Sequence, residues 1–337
     1  MDKTLRLEIN NFSRGDWRRL VCGFGDLSLL QCWEYAEAKA KTGPWRVERG
    51  VFFEGDDHAG AFQALIRPMP GPLPGGLAWI NRGPLWRRRN NDGGSGDKAK
   101  LAAMITRLSG HYAGERGMYL RIAPPVEAGS AAAVAALDCA MVETSVPGWA
   151  SARLDLRAPL DEIRSNLKSK WRGHLNKGER AAMEVRSGSG PELFETFLDH
   201  HRGLIVDRGF DTSLTPDLLG AMQELLAEDS KMTVFLAYKD NELLGSVLIA
   251  RYGDTAEYLA GNTTDDGRRN SAGQVLLWRA LAEMKDRGCA ALDLSGMDEV
   301  LTPRGIYQFK EGLSGVPYRL VPELEAGGGG IMGRLVR

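Results

Sequence analysis

The segment MTVFLAYKDNELLGSVLIARYGDTAEYLAGNTTDDGRRNSAGQVLLWRALAEMKDRGCAALDL, Met232 to Leu294, decides the fold class. Residues of high β-propensity run from Met232 to the polar pair Asp240-Asn241 and return as ELLGSVLIARYG, the pattern of a hairpin. A third strand is expected over Thr255–Ala260. An amphipathic helix follows over Ala272–Arg287, closed by Gly288, and then a short apolar strand, Ala290–Leu294, suited to burial on both faces. Meander, helix and buried strand together predict an α+β domain.

Upstream of this segment, Ala152–Leu156 reads as a strand and Asp161–Met183 as a helix with a weak point near Gly173. Within it Ile163, Leu167, Trp171 and Leu175 recur every four residues and form one apolar stripe. Glu192–Asp207 and Pro216–Glu228 are further helices. The resulting order is compatible with a GNAT acyltransferase domain, and pattern alone leaves other α+β folds open.

The first half repeats the hairpin theme. VERGVFFEG, a turn at Asp56-Asp57-His58 and GAFQALIR span Val47 to Arg67, so Gly60 and Gly245 fall at similar places early in the two returning strands. This echo suggests a duplicated domain, although any two buried hairpins share as much. The polar, glycine-rich stretch from Trp86 to Asp97 reads as a surface loop. After it come a helix at Lys98–Gly114, a strand at Met118–Ile122 stopped by Pro124-Pro125, and a helix at Ala131–Ala140 with Ser130 as its cap. Val146-Pro147-Gly148 is a hinge candidate, which divides the 337 residues into domains at 1–147 and 148–315.

Composition narrows the function. Hydrophobic residues at 43% against 26% charged exclude a disordered chain. The four cysteines are far apart with no CxxC pair, fitting neither a zinc site nor a disulfide framework, and no metal site is expected. None of the five histidines sits in a motif pairing it with a nucleophile or a metal. A formal net charge of −1 means that any polyanion would have to be met by a local basic patch. Met1–Phe12 has no signal-peptide pattern and no segment approaches the roughly 20 apolar residues of a membrane span, so a cytoplasmic location is expected.

Several segments, scattered in order over almost the whole chain, carry a family resemblance. They are LLQCWEYAEAKAKTGPW (Leu29–Trp45), INRGPLW, LKSKWRGHLNKGERAAMEVRSG (Leu167–Gly188) and DRGFDT (Asp207–Thr212). To these are added the Tyr-x-x-Gly, Leu-x-Trp and Asp-x-x-Gly run ending in LDLSGMD, and GIYQFKEGLSG (Gly305–Gly315). The series resembles the FemABX aminoacyltransferases. That resemblance implies two tandem GNAT-like domains, each a mixed twisted sheet flanked by helices around a shared substrate cleft, with 316–337 packing back on the first. It also implies transfer of an amino acid from aminoacyl-tRNA to an amine of a UDP-linked or lipid-linked peptidoglycan precursor, in cell wall biogenesis. A lipid-linked acceptor would bring transient contact with a membrane surface. Two positions depart from the pattern: Ser295 stands where many relatives have glycine, and Ala123 where some carry an acidic residue.

Attack by an amine on an activated ester needs alignment and stabilisation of the developing oxyanion, with no covalent triad, and no cofactor is expected. The resemblance places Phe309 and Lys310 at the reacting carbonyl, the Lys310 ammonium and the Phe309 N–H being the candidate donors. It assigns Lys39 and Arg208 to the acceptor diphosphate, for which ammonium and guanidinium are suited ligands. Tyr258, on the third strand of the meander, is a candidate to orient the acceptor peptide by its hydroxyl, the alternative being burial as core. The basic helix offers Lys168, Lys170, Arg172 and Lys177 to a tRNA backbone. Two rival readings remain. One is a GNAT enzyme using acyl-CoA through the loop Arg268-Arg269-Asn270-Ser271-Ala272-Gly273, where Ser271 replaces a glycine of the pyrophosphate nest. The other is a non-catalytic GNAT-like binding protein.

Overall fold

The computed structural model describes residues 5–69, 75–89, 95–133, 141–208 and 212–327, with backbone alone at 95–97 and 207–208. They form two compact units, one of the residues up to Trp149 together with those from Arg319 onward, the other Ala150–Tyr318. In the first, β1 (Arg6–Ile9) and α1 (Arg14–Val21) lead to α2 (Trp33–Thr42) and the hairpin β2 (Arg46–Glu54) and β3 (Asp57–Pro68). β4 (Gly76–Asn81), α3 (Ser95–Ser109), a π-helical turn at Gly110–Glu115, β5 (Tyr119–Ala123) and β6 (Val142–Glu143) follow.

The second unit begins with β7 (Ala150–Asp155), α4 (Leu160–Asn166), α5 (Ser169–Arg180), β8 (Glu184–Gly188), α6 (Pro191–Arg208) and α7 (Pro216–Leu225). It continues through the meander β9 (Thr233–Lys239), β10 (Glu242–Tyr252) and β11 (Thr255–Thr263). It closes with α8 (Asp265–Arg269), α9 (Ala272–Asp286), β12 (Ala291–Asp293), α10 (Arg304–Glu311) and β13 (Val316–Arg319). β14 (Leu324–Ala326) then joins the sheet of the first unit between β5 and β6.

Each unit is a mixed seven-stranded sheet, ordered β1-β2-β3-β4-β5-β14-β6 in the first and β13-β7-β12-β11-β10-β9-β8 in the second. The suggested duplication is visible in their topology. In both, an antiparallel meander is followed by a helix and a strand that returns parallel to the last of the three, β5 beside β4 and β12 beside β11. The glycine echo has a structural cause. β3 carries one extra residue, Ala59, between the pairs Phe53↔His58 and Phe52↔Gly60, and β10 carries Leu244 between Leu243↔Tyr238 and Gly245↔Ala237. Each bulge delivers the next residue against backbone: a Cβ on Gly60 would lie 2.8 Å from the Leu85 carbonyl oxygen, and one on Gly245 2.9 Å from that of Asn262.

Turn chemistry accounts for both hairpins. Asp240 and Asn241 hold φ of 51° and 64°, the left-handed pair that matches strand twist. The first turn is Gly55-Asp56, with Gly55 at φ 67°, and Asp57 and His58 already belong to β3. That moves the expected turn toward the glycine, which takes positive φ without strain.

Other expectations need correction. The apolar stripe is buried at all four positions, Ile163, Leu167, Trp171 and Leu175, yet the helix breaks at Leu167-Lys168, whose ψ is 139° at both residues. The break is stabilised by the Lys168 N–H donating to the Gly312 carbonyl, whereas a Cβ on Gly173 would meet nothing within 4 Å. The Trp86–Asp97 stretch is not all surface loop. Trp86 is buried, and Asp26 accepts from the N–H groups of Trp86 and Arg87; residues 90–94 lie outside those described. Among the described residues the buried Ser130 hydroxyl has no hydrogen-bond partner and so caps nothing, and of the helix expected after it residues 134–140 lie outside those described.

Candidate active site

In the second unit the parallel pairing of β11 and β12 covers only Thr255–Glu257 with Ala291–Asp293. Beyond it β11 bulges at Leu259 and runs on to Thr263 against β10, while the chain leaving β12 turns away at Ser295, which is left-handed with φ 57°. A fork therefore opens past the carboxyl ends of the two parallel strands.

Tyr258 is the first residue of β11 past the fork. It is buried, which pushes its phenol far above the usual range, and its hydroxyl has no hydrogen-bond partner among the described residues. The bulge puts Tyr258 and Gly261 on one face, and a Cβ on Gly261 would collide with the Tyr258 hydroxyl. The Tyr-x-x-Gly spacing thus clears room for the phenol.

α10 brings Lys310 to the same place. It starts after Pro303, which is compatible with a helix start because its missing N–H would be unpaired there in any case. Lys310 is 7% exposed, its Nζ lies 5.4 Å from the Tyr258 ring centre, and it donates to the Gly296 carbonyl at 2.9 Å. Burial pushes the amine down to about 8, opposed by the carboxylates of Asp293 and Glu257. The ring of Phe309 packs on Trp171 at 6.0 Å, and the site of a Cβ on Gly273 lies 3.5 Å from its edge. Helix geometry commits the Phe309 N–H to the carbonyl four residues earlier, so it is taken inside α10 and is no free second donor.

Asp293 organises the fork, and sequence reasoning gave it no role although it stands in the Asp-x-x-Gly run. It accepts from the hydroxyls of Ser151 and Tyr318, both at 2.6 Å, and from the Ser295 N–H at 2.8 Å. Its partners come from β7, β13 and the turn after β12, so no local spacing announces them.

In the first unit Lys39 lies half-buried on α2 with no hydrogen-bond or ion-pair partner among the described residues, and burial lowers its pKa. Gln31 fixes the start of that helix. Its amide donates to the carbonyls of Asn81 (2.7 Å) and Gln63 (3.3 Å) and accepts from the Gln63 N–H (2.8 Å). Arg208 ends α6, and its side chain, with the following residues 209–211, lies outside those described.

The cations of the basic helix divide into two groups. Lys168 pairs with Glu311 at 2.7 Å, and Arg172 donates to the Ser165 carbonyl at 2.7 Å, closing the end of α4. Lys170 and Lys177 are exposed and have no partner among the described residues.

The loop from Arg268 to Gly273 is occupied. Arg268 pairs with Asp265 and Arg269 with Asp266, while Ser271 is buried with φ 60°. His174 from α5 places Nδ1 3.3 Å from the Ser271 hydroxyl. Gly178 packs so closely that a Cβ there would sit 3.1 Å from the Ser271 carbonyl oxygen and 3.2 Å from that of Asn270. α5 therefore lies over this loop.

Residues 164–311 match the model of the acetyltransferase (GNAT) domain family. Among solved structures the chain is similar to FemX (16% identity, TM-score 0.79, covering 94% of this chain and 96% of that one). It is also similar to L-PGS from Bacillus licheniformis (13%, TM-score 0.53, 89% and 90%) and to a tandem GNAT protein from the clavulanic acid biosynthesis pathway (12%, TM-score 0.50, 96% and 98%). No curated protein sequence matches the chain. The fold is thus a tandem GNAT acyltransferase fold. No helix among the described residues is long and apolar enough to cross a membrane.

Proposed function

We propose that this protein is a FemABX-like aminoacyltransferase that moves an amino acid from aminoacyl-tRNA to an amine of a peptidoglycan precursor, in the cytoplasm or at the inner membrane surface. The observation that carries the reading is Lys310, a buried amine held by the Gly296 carbonyl at the β11–β12 fork, beside a Tyr258 hydroxyl that has no hydrogen-bond partner among the described residues. An aminoacyl ester is already activated, so the site has only to align the acceptor amine and oppose the negative charge of the tetrahedral intermediate. Lys310 supplies the charge in its protonated form, Tyr258 orients the acceptor, and the rings of Phe309 and Trp171 wall the site. Lys39 and Arg208 serve the acceptor diphosphate. Lys170 and Lys177 contact the tRNA backbone, with Lys168 and Arg172 behind them in mainly structural roles.

The acyl-CoA alternative is disfavoured by α5. In a CoA enzyme the pyrophosphate needs bare backbone N–H groups in an open nest, and here the corresponding loop carries a buried serine under His174 and Gly178. The test is a transfer assay of purified protein with charged tRNA or acyl-CoA and a panel of nucleotide- and lipid-linked precursors. Transfer from tRNA that ribonuclease abolishes is expected, and transfer from acyl-CoA in ribonuclease-treated protein would overturn the reading.

A further inference from the structure

Lys310 is aimed by a carbonyl whose direction depends on Ser295. This residue is buried and left-handed, a conformation that side chains other than glycine rarely adopt. Both its ends are held: its N–H donates to Asp293 Oδ1 at 2.8 Å and its hydroxyl donates to Glu257 Oε1 at 2.7 Å. The next carbonyl, that of Gly296, is the acceptor for Lys310 Nζ. Glu257 and Asp293 are register partners on β11 and β12, which brings the two carboxylates to one side of the fork.

The two acids are not equivalent. Asp293 also holds Ser151 and Tyr318 and lies 3.6 Å from Arg153 Nε, so it secures the junction of three strands. Glu257 meets the turn at the Ser295 hydroxyl. A glycine at 295 would take this backbone conformation without strain and would still leave its N–H for Asp293. What it would lose is the contact to Glu257, so a strained serine here points to that contact as its purpose.

We infer that Glu257 and Ser295 form a positioning pair for Lys310, in which the carboxylate clamps the left-handed turn through the serine hydroxyl, directs the Gly296 carbonyl at Nζ and stands as counter-charge to the ammonium. The inference rests on the catalytic reading of Lys310. The charged and titratable groups around the turn are Glu257 and Tyr258 from β11, Asp293 from β12, Arg153 from β7, Tyr318 from β13, and Tyr252, which hydrogen-bonds Glu257 at the end of β10. Among them Glu257 and Asp293 oppose the burial that lowers the Lys310 pKa.

Two variants of the full chain test this. Glu257→Gln keeps an acceptor for Ser295 and removes the charge; Ser295→Gly keeps the backbone and removes the clamp. Competitive acetylation of Lys310 across a pH series, read by peptide mass spectrometry, gives its titration midpoint with no substrate present. Glu257→Gln should lower that midpoint by about one unit, the size of shift an opposite charge nearby produces, and Ser295→Gly should move it in the same direction with an undiminished melting temperature. In the transfer assay both should lower kcat about tenfold with KM little changed. Unmoved midpoints in both variants overturn the inference, whatever transfer does. Shifted midpoints in a protein that transfers nothing would keep the pair and remove the catalytic reading beneath it.

Discussion

His174 Nδ1 lies 3.3 Å from the hydroxyl of Ser271, joining the basic helix α5 to the loop that opens α9. The contact closes from above the place where a CoA pyrophosphate would need bare N–H groups. Acetyl-CoA is therefore expected not to bind in calorimetry, and Ser271→Gly alone should not create binding, because Gly178 and His174 still cover the loop. Micromolar acetyl-CoA binding by the unaltered protein would show that α5 moves aside and would restore the acyl-CoA reading.

Lys310→Ala should lower kcat by 10²–10³ with KM for the acceptor nearly unchanged, because an oxyanion contact strengthens only in the transition state and is worth roughly 3 kcal/mol. The protonated amine is the useful form and its pKa is about 8. Activity should therefore be held below that value and be lost as pH rises through it. The acceptor amine, which must be neutral to attack, contributes a limb that rises with pH, so the kcat profile is bell-shaped. A profile flat from pH 7 to 10 would remove Lys310 from the chemistry.

Lys39 is a half-buried ammonium with no carboxylate partner among the described residues, a combination that favours an incoming anion. Lys39→Ala should raise KM for a diphosphate-bearing acceptor about tenfold, roughly 1.4 kcal/mol, and leave turnover nearly unaltered. It should have little effect on an acceptor peptide lacking phosphate. Equal losses with both acceptors would assign Lys39 to the peptide end or to the fold.

What could be read from the sequence follows the range of the interactions. The hairpins, the meander and α9 were legible because turn residues and apolar period act between near neighbours, and the glycine echo was legible because each bulge lies one residue before its glycine. The break at Leu167-Lys168 was not, since its stabilising bond goes to Gly312, far along the chain. Lys310 and Phe309 could be named from the resemblance and Tyr258 from its place on the third strand, but Glu257 and the hub role of Asp293 could not. Ser295 and Glu257 are 38 residues apart and Ser151 and Asp293 are 142 apart, distances at which only the folded sheet relates them.

The basic helix gives the sharpest test of tRNA binding, because its cations do different work. Arg172 closes the end of α4 by donating to the Ser165 carbonyl, and Lys168 is held by Glu311. Arg172→Glu should therefore lower the melting temperature as well as activity, and says little about tRNA by itself. Lys170 and Lys177 are exposed with no partner among the described residues, so reversing both to glutamate should leave the melting temperature within a degree or two. If the helix tracks a phosphate backbone, each cation contributes about one released counterion, and the slope of log affinity against log salt should become shallower by roughly two in the double variant. Filter binding of charged tRNA over a salt series measures that slope directly. A double variant with wild-type affinity and slope would move the tRNA contact away from α5 and leave the fork chemistry to be tested with a minimal aminoacyl ester donor.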